Sequence, residues 1–335
     1  MKRLFPCLIL APIASFAAAC ITATPECTEW ITFSTAPARS LIYRNHPLDI
    51  RNESITRATV ILHGAQRDAH NYYRTAAASA FLAGALEDTI VISPRIASKA
   101  GGSCQDILAE NEISYPCDIW RSGGAAPQNS KVTSFDFMDE ILRKLARKEI
   151  FPNLKSIVLA GHSAGGQYMN RYQMSNKVHD TLGLPIMYVV SNPSSYAYLD
   201  PIRPVGEGKE FGKEFRNVGD TGNCKTYDRW AYGLQNRSGG YTAGIPDEQL
   251  KKQLAARPAV YLLGEIDILP LGGFDSSCPA MAQGPTRRAR GEAFAKYAEE
   301  KLGAKHKKVI VPLCGHNARC MFTSDPAQEI LFPQQ

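Results

Sequence analysis

The sequence predicts an α/β protein with a mostly parallel central sheet and helices on both faces. Short runs rich in β-branched residues alternate along the chain with segments of helical periodicity. These runs are almost continuously apolar, which indicates strands that are covered on both faces. They comprise residues 58–62 (ATVIL), 89–93 (TIVIS), 156–160 (SIVLA), 186–191 (IMYVVS), 259–263 (AVYLL) and 308–311 (KVIV). Residues 30–33 and 41–43 are predicted to add antiparallel strands at the edge.

Helices are predicted between these strands. The best-marked one follows Thr133, a good N-cap residue, and carries Asp136 three residues later. Its residues Phe135, Met138 and Leu142 fall on one face, as in an amphipathic helix. The predicted helices cover residues 71–86, 134–148, 164–176 and 288–302.

Two long segments interrupt the alternation and are predicted to wall a site. Residues 94–132 form a loop rich in Gly, Ser and Asn, and residues 200–257 form an aromatic-rich, lid-like insertion. Long ordered loops in a compact domain are usually lids, binding loops or disulfide-held excursions. With 335 residues, 44% of them hydrophobic, we expect a single domain over residues 20–335.

Residues 1–19 have the pattern of a signal peptide. Lys2 and Arg3 precede a short apolar stretch that ends in three alanines. We therefore expect a secreted or periplasmic protein, and no later segment is long and apolar enough to span a membrane. Cys20 leaves open an alternative, in which this cysteine carries a lipid anchor at the cell envelope.

The cysteine count agrees with an oxidising compartment. Of nine cysteines, Cys7 leaves with the signal peptide and eight remain. Several connectivities would satisfy eight cysteines. Local spacing suggests Cys104–Cys117 and Cys314–Cys320, which would make Cys224–Cys278 a longer bridge and leave Cys20 with Cys27.

The charge pattern and motifs argue against several functional classes. The net charge is +6, and the basic residues fall in short groups, 287–290 and 305–308, which we interpret as solvated faces. We expect no nucleic-acid partner. There is no HExxH, no Gly-rich phosphate loop and no CxxC pair, so neither a metal nor a cofactor is predicted. We expect a monomer.

The heptapeptide AGHSAGG, residues 160–166, carries the predicted nucleophile, Ser163. A strand leads into it and a helical pattern follows, which is the setting of a nucleophile elbow rather than of an ordinary Gly/Ser-rich turn. Gly161 and Gly165 keep side chains out of the tight turn. His162 is excluded as the base, because adjacent side chains in this turn diverge.

A serine hydroxyl needs a base, and His316 is the best candidate. It follows the last predicted strand, at the end where the other reactive groups are expected. His306 precedes that strand, and His46, His70 and His179 lie far from the carboxyl end of any strand.

Asp267 is the predicted acid, because it follows the penultimate strand and could orient the imidazole. Glu265 and Asp275 are competing candidates. The backbone N–H groups of Ala65 and Ala164 are predicted to form the oxyanion hole, with Gln66 as a reserve for Ala65.

These motifs resemble the α/β-hydrolase superfamily over residues 58–322, and more closely a group of secreted serine esterases. The shared stretches are HGAQRDAHNYY (63–73), AGHSAGG (160–166), SNPSSY (191–196) and CPAMAQG (278–284). The HGxxxDA pattern and the Cys117 and Trp120 pair are also similar to extracellular polyester depolymerases and feruloyl esterases. Those proteins usually carry an HGC loop, where this chain has Ala65.

Substrate-binding residues are expected around this centre. Asn192, Ser194 and Tyr196 follow the strand after the elbow helix, and Trp120 and Trp230 lie on the two long segments. Tyr232 is a further candidate.

Together these features predict an exported serine hydrolase that cleaves carboxylic esters, small or polymer-linked, through an acyl-enzyme. A peptidase or amidase on the same scaffold and a non-catalytic binding protein remain as alternatives.

Overall fold

The computed structural model describes residues 20–219, 224–237 and 239–333. The predicted signal peptide, residues 1–19, lies outside these described residues. The strands are β1 (Thr28–Phe33), β2 (Ala36–Arg44), β3 (Arg57–Leu62), β4 (Thr89–Pro94), β5 (Ala125–Ala126), β6 (Asn129–Thr133), β7 (Ser156–His162), β8 (Ile186–Ser191), β9 (Ile202–Val205), β10 (Glu214–Asn217), β11 (Ala259–Gly264) and β12 (Lys307–Val311). The α-helices are α1 (Ala69–Leu82), α2 (Ser134–Leu145), α3 (Ala164–Ser175), α4 (Asp247–Ala256), α5 (Cys278–Met281), α6 (Arg287–Leu302), α7 (Ala318–Phe322) and α8 (Asp325–Leu331).

Eight strands form one sheet in the order β1-β2-β4-β3-β7-β8-β11-β12. β1 pairs antiparallel with β2, and β2 pairs antiparallel with β4. All later neighbours pair in parallel, from β4 to β12. Each predicted strand is present at its predicted place, including the two antiparallel ones at the edge.

The central strand β7 explains why these runs are continuously apolar. Its alternate side chains Ile157 and Leu159 join one buried cluster, which includes α2 and α3 residues. Val158 and Ala160 join a second cluster on the opposite face, with side chains of α1, α7 and α8. Because side chains alternate along a strand, burial on both faces requires apolar residues at successive positions.

The lid-like insertion predicted at 200–257 is shorter than expected, because its last part is the regular helix α4. Leu250 and Leu254, one helical turn apart, are buried. This spacing lets α4 pack against the body of the domain as an ordinary crossover helix between β8 and β11. Helix α1 also ends earlier than predicted, at Leu82, since Gly84 adopts a φ of 65° that no helix can continue.

The structure pairs the cysteines as their spacing suggested. The bonds join Cys20 to Cys27, Cys104 to Cys117, Cys224 to Cys278, and Cys314 to Cys320. The first bond speaks against the alternative of a lipid anchor, because it occupies the Cys20 sulfur that an acyl anchor needs. Among the described residues, no helix has both the length and the apolar character required to cross a membrane.

Candidate active site

Ser163 occupies a strained turn between β7 and α3. Its φ of 58° and ψ of −117° lie in a region that residues with a side chain rarely adopt. Close backbone approach explains the flanking glycines. A Cβ on Gly161 would lie 2.2 Å from the Gly165 carbonyl oxygen, and one on Gly165 would lie 2.5 Å from the Leu62 carbonyl oxygen. The turn therefore presses against the end of β3 and projects the serine hydroxyl outward.

The structure joins Ser163, His316 and Asp267 in one hydrogen-bonded chain. His316 Nε2 lies 2.9 Å from Ser163 Oγ, and His316 Nδ1 lies 2.8 Å from Asp267 Oδ2. Because a carboxylate only accepts, the imidazole proton is on Nδ1 and Nε2 is free to accept the serine proton. This is the geometry that general-base activation of a hydroxyl requires.

The competing acids have other partners. Glu265 Oε2 accepts from the backbone N–H of Leu313 at 2.9 Å, so it ties two loops together. Asp275 accepts from the Tyr232 hydroxyl at 2.7 Å and from the Ser277 backbone N–H at 3.0 Å. Asp267 alone among these three carboxylates contacts His316.

Arg287 is a buried neighbour of Asp267 in this hydrogen-bonded chain. Its Nη1 lies 3.5 Å from Asp267 Oδ1, and Nη2 donates to the Gly272 carbonyl oxygen at 2.9 Å. The prediction of a solvated basic face at residues 287–290 is wrong for Arg287 and Arg290, which are both fully buried. The missed signal was their spacing: both lie on the same face of α6 as the buried Phe294.

His162 lies directly behind the base without contacting the nucleophile through a hydrogen bond. Its ring centroid is 4.7 Å from that of His316, and its Nδ1 is 3.2 Å from the Tyr72 hydroxyl. Burial, and secondarily the nearby His316, hold the pKa of His162 well below its ordinary value. His162 is therefore a neutral packing partner of the catalytic imidazole candidate.

The loop after β3 lies beside the serine, as an oxyanion hole would require. A Cβ on Gly64 would be 3.7 Å from Ser163 Cβ, and Ala65 follows it at the cavity wall. Ala164 is the first residue of α3, where backbone N–H groups have no partner within the helix. Both residues therefore lie next to the serine, and the oxyanion hole remains a prediction.

His63 braces this loop. The Ile96 N–H donates to His63 Nε2 at 3.0 Å, so the ring proton is on Nδ1 and donates to the Gly64 carbonyl at 2.8 Å. Burial lowers the pKa of His63 to about 4, which keeps the ring neutral. Arg67, two residues after Ala65, binds Asp106 of the 94–132 loop at 2.7 Å.

Two adjoining cavities open at this end of the sheet. The first, of about 510 Å³, is lined by Ser163, His316 and the Gly64–Ala65 backbone. The second, of about 730 Å³, lies between the 94–132 loop, α3 and the 200–257 insertion. Gly273 lines both cavities, so the two long segments do wall a space next to the serine.

The residues predicted to bind substrate divide into two groups. Trp230 and Tyr232 line the second cavity. Trp120 and Tyr196 line neither cavity: both are core residues, packed against His63 and Phe294 respectively.

Asn192 and Ser194 also depart from the predicted substrate contact. The Asn192 side chain accepts from Gly264 N–H at 2.8 Å and donates to the Gly315 carbonyl at 3.2 Å. Ser194 Oγ accepts from Arg287 Nε at 2.8 Å. Both side chains are buried and hold neighbouring loops in place.

The disulfide Cys314–Cys320 brackets the His316 loop and closes it against α7.

Within the part of the chain that the structure describes, no three His, Cys, Asp or Glu side chains cluster as a metal site would require.

No protein-family model matches the chain, and no curated protein gives a significant match. Solved structures do. Poly(aspartic acid) hydrolase-1 from Sphingomonas sp. KT-1 is 20% identical, with a TM-score of 0.59 over 91% of this chain and 97% of the other. LpqC, a poly(3-hydroxybutyrate) depolymerase from Bordetella parapertussis, is 19% identical, with a TM-score of 0.59 over 89% of this chain and 85% of the other. At this identity the likeness establishes a shared fold.

Proposed function

We propose that this chain, which has the α/β-hydrolase fold predicted from its sequence, is an exported serine hydrolase that cleaves carboxylic esters. The observation that carries the proposal is the hydrogen-bonded chain from Ser163 through His316 to Asp267. These three residues follow three different parallel strands, β7, β12 and β11 respectively, and meet at the carboxyl ends of these strands. Of the two similar structures, the poly(3-hydroxybutyrate) depolymerase acts on a polyester, which supports an ester substrate, small or polymer-linked.

In the proposed mechanism, Ser163 Oγ attacks the ester carbonyl while His316 Nε2 takes its proton. Asp267 fixes the imidazole tautomer and stabilises the imidazolium. The carbonyl oxygen, now negatively charged, is held by the N–H groups of Ala65 and Ala164. When this tetrahedral intermediate collapses, it expels the alcohol, which takes the proton from His316. An acyl-enzyme on Ser163 remains. Water, deprotonated by His316, then releases the acid and restores the serine.

Replacement of the nucleophile tests this proposal. We expect Ser163→Ala to lose essentially all hydrolysis of p-nitrophenyl butyrate, because no other group takes its place on the acyl carbon. Ser34→Ala, which alters an exposed hydroxyl on the β1–β2 turn, serves as the matched control and should retain full activity. Circular dichroism should be unchanged in both variants. Full activity in folded Ser163→Ala contradicts the mechanism.

Labelling with a fluorophosphonate probe separates an enzyme from a binding protein of the same fold. The wild-type protein should become labelled on Ser163, and the Ser163→Ala variant should not. Absence of labelling in folded wild-type protein contradicts a reactive serine. Parallel assays with matched amide substrates measure the preference for esters over amides.

Export is supported by the four disulfides, which form in oxidising compartments. Intact-mass analysis of the protein recovered from its compartment should give a chain that begins at Cys20 and carries no lipid. A mass that includes residues 1–19, or a lipid-sized increase, contradicts this part of the proposal.

A further inference from the structure

The second cavity is lined in part by polar side chains that can donate hydrogen bonds. Gln167 and Arg171 lie one turn apart on α3, with Ser195 beside them, and all three line the cavity. Arg121 lines the same cavity, and its Nη1 donates to Gln167 Oε1 at 3.1 Å. The mechanism above uses none of these residues.

Arg171 is a buried cation without a carboxylate partner among the described residues. It is only 2% exposed, and its guanidinium donates to the carbonyl oxygens of Gln167 and Ala231 and to Ser195 Oγ. These acceptors are neutral, and they leave one N–H of Nη1 unused. Although burial lowers the pKa of Arg171 to about 10, the group remains charged at neutral pH. An unpaired buried charge is costly unless a ligand of opposite charge completes it.

Ser195 presents a second unused donor. Its oxygen accepts from Gln167 Nε2 at 2.6 Å and from Arg171 Nη2 at 3.2 Å, which occupies both lone pairs. Its own proton has no acceptor in the described part of the chain. The hydroxyl and the guanidinium can therefore both donate to one ligand, and an anion with several acceptor atoms is the best match.

The carboxylates of the cavity wall are engaged elsewhere. Asp118 pairs with Arg121 and its side chain is 79% exposed to solvent. Asp275 accepts from the Tyr232 hydroxyl and the Ser277 N–H. Neither forms an ion pair or a hydrogen bond with Arg171, and the charge of Asp275 acts on it only without direct contact.

We infer that this cavity binds a free carboxylate group of the ester substrate, through Arg171 and Ser195. The inference rests on the proposed function, because it places the acid relative to the scissile ester. Gln167 and Arg171 follow Ser163 by four and eight helical residues, or about 6 and 12 Å along the axis. At about 1.2 Å per bond in an extended chain, the carboxylate and the ester are separated by roughly five to ten bonds. The substrate class is thus an ester that carries an acid some distance from the cleaved bond.

A pair of matched substrates tests this assignment. Monomethyl suberate carries the carboxylate on the acyl side, and its analogue with a terminal carboxamide is neutral but of equal length. A second pair carries the same two groups on the alcohol side, as acetate esters of 6-hydroxyhexanoic acid and its amide. In at least one pair the wild-type protein should prefer the acid in kcat/KM by roughly ten- to hundredfold.

Two variants of the cavity residues test whether the cavity causes the preference for the acid substrate over the amide. Ser195→Ala should reduce it severalfold and Arg171→Gln should abolish it, both through KM, while neutral esters are still hydrolysed. Arg74→Gln, which removes an exposed positive charge on α1, should leave the preference intact. Where Arg171→Gln does not fold, the wild-type and Ser195→Ala measurements decide.

Equal rates for acid and amide in both pairs overturn the inference, as does an unchanged preference in folded Ser195→Ala and Arg171→Gln. Either result would leave the proposed function standing, since the neutral esters are still cleaved. Failure to hydrolyse any ester contradicts the proposed function itself.

Discussion

Asp139 allows a quantitative test of how the insertion is held against the body of the domain. This carboxyl group is 1% exposed and lies on the buried face of α2. It accepts from the Tyr172 hydroxyl of α3 at 2.6 Å and from the Tyr241 hydroxyl of the insertion at 2.7 Å. Arg143 Nη2 lies 3.9 Å away, on a side chain that is 48% exposed. Two neutral hydrogen bonds and a distant cation do not fully replace the water that a carboxylate loses.

Burial therefore raises the pKa of Asp139, from its ordinary value of 3.8 to about 6. The native state then binds more protons than the unfolded state between about pH 4 and 6, so stability decreases as the pH rises through this range. The difference between 3.8 and about 6 corresponds to about 3 kcal/mol, which is lost in full above pH 6. Below pH 4 the carboxyl is neutral in both states and contributes no such loss.

Asp139→Asn should remove this pH dependence, because the amide has the size of the protonated carboxyl and never ionises. Relative to the wild type, the free energy of unfolding of the variant should rise by about 3 kcal/mol between pH 4 and pH 8. A lost hydrogen bond to one tyrosine lowers the variant by about 1 kcal/mol at every pH. Urea titrations at each pH measure both quantities. Other titrating groups cancel in the difference between the two proteins.

Glu87→Gln, which replaces an exposed carboxylate by its amide, is the control at the surface. The reasoning is refuted if Asp139→Asn shows the same stability difference at pH 4 and pH 8. It is also refuted if the variant loses stability, relative to the wild type, as the pH rises.

Two further predictions concern the site. Arg287→Gln should lower kcat roughly ten- to hundredfold with little change in KM, because Asp267 loses its charged neighbour while the cavity keeps its shape; an unchanged kcat in steady-state assays contradicts this positioning role. Replacing Cys314 and Cys320 together by serine should lower the free energy of unfolding by about 2 kcal/mol in urea titrations. Activity should fall further than in the matched Cys104 and Cys117 double variant, because the Cys314–Cys320 disulfide brackets His316. Equal losses of activity in the two variants would contradict this prediction.

The parts of the candidate site that sequence could predict are those set by a strand and the turn after it. Ser163 directly follows β7 and His316 lies in the loop after β12, and the direction of a parallel strand fixes which end its loop occupies. Asp267 could be favoured over Glu265 and Asp275 but not separated from them, because their order along the loop does not show which carboxylate turns toward the imidazole.

What sequence could not predict depends on packing between distant elements. Arg287 looked like part of a solvated basic group, and only the position of α6 against the β11 loop makes it a partner of Asp267. Tyr196 looked like a pocket residue because it follows the end of β8, yet Phe294 of α6 covers it in the core. Phe294 follows Tyr196 by 98 residues, and Asp267 precedes Arg287 by 20 residues, so no local pattern reports either contact.

The order of strands also explains why one strand end carries no reacting group. β8 lies between β7, which leads to the serine, and β11, which leads to the acid. Asn192, which directly follows β8 and has a φ of 44°, holds the end of β11 through Gly264 and the base loop through Gly315. One amide thus fixes the spacing of two loops that must keep Asp267 and His316 at 2.8 Å. Asn192, predicted as a substrate contact, acts in this geometry as the clamp that sets the acid–base pair.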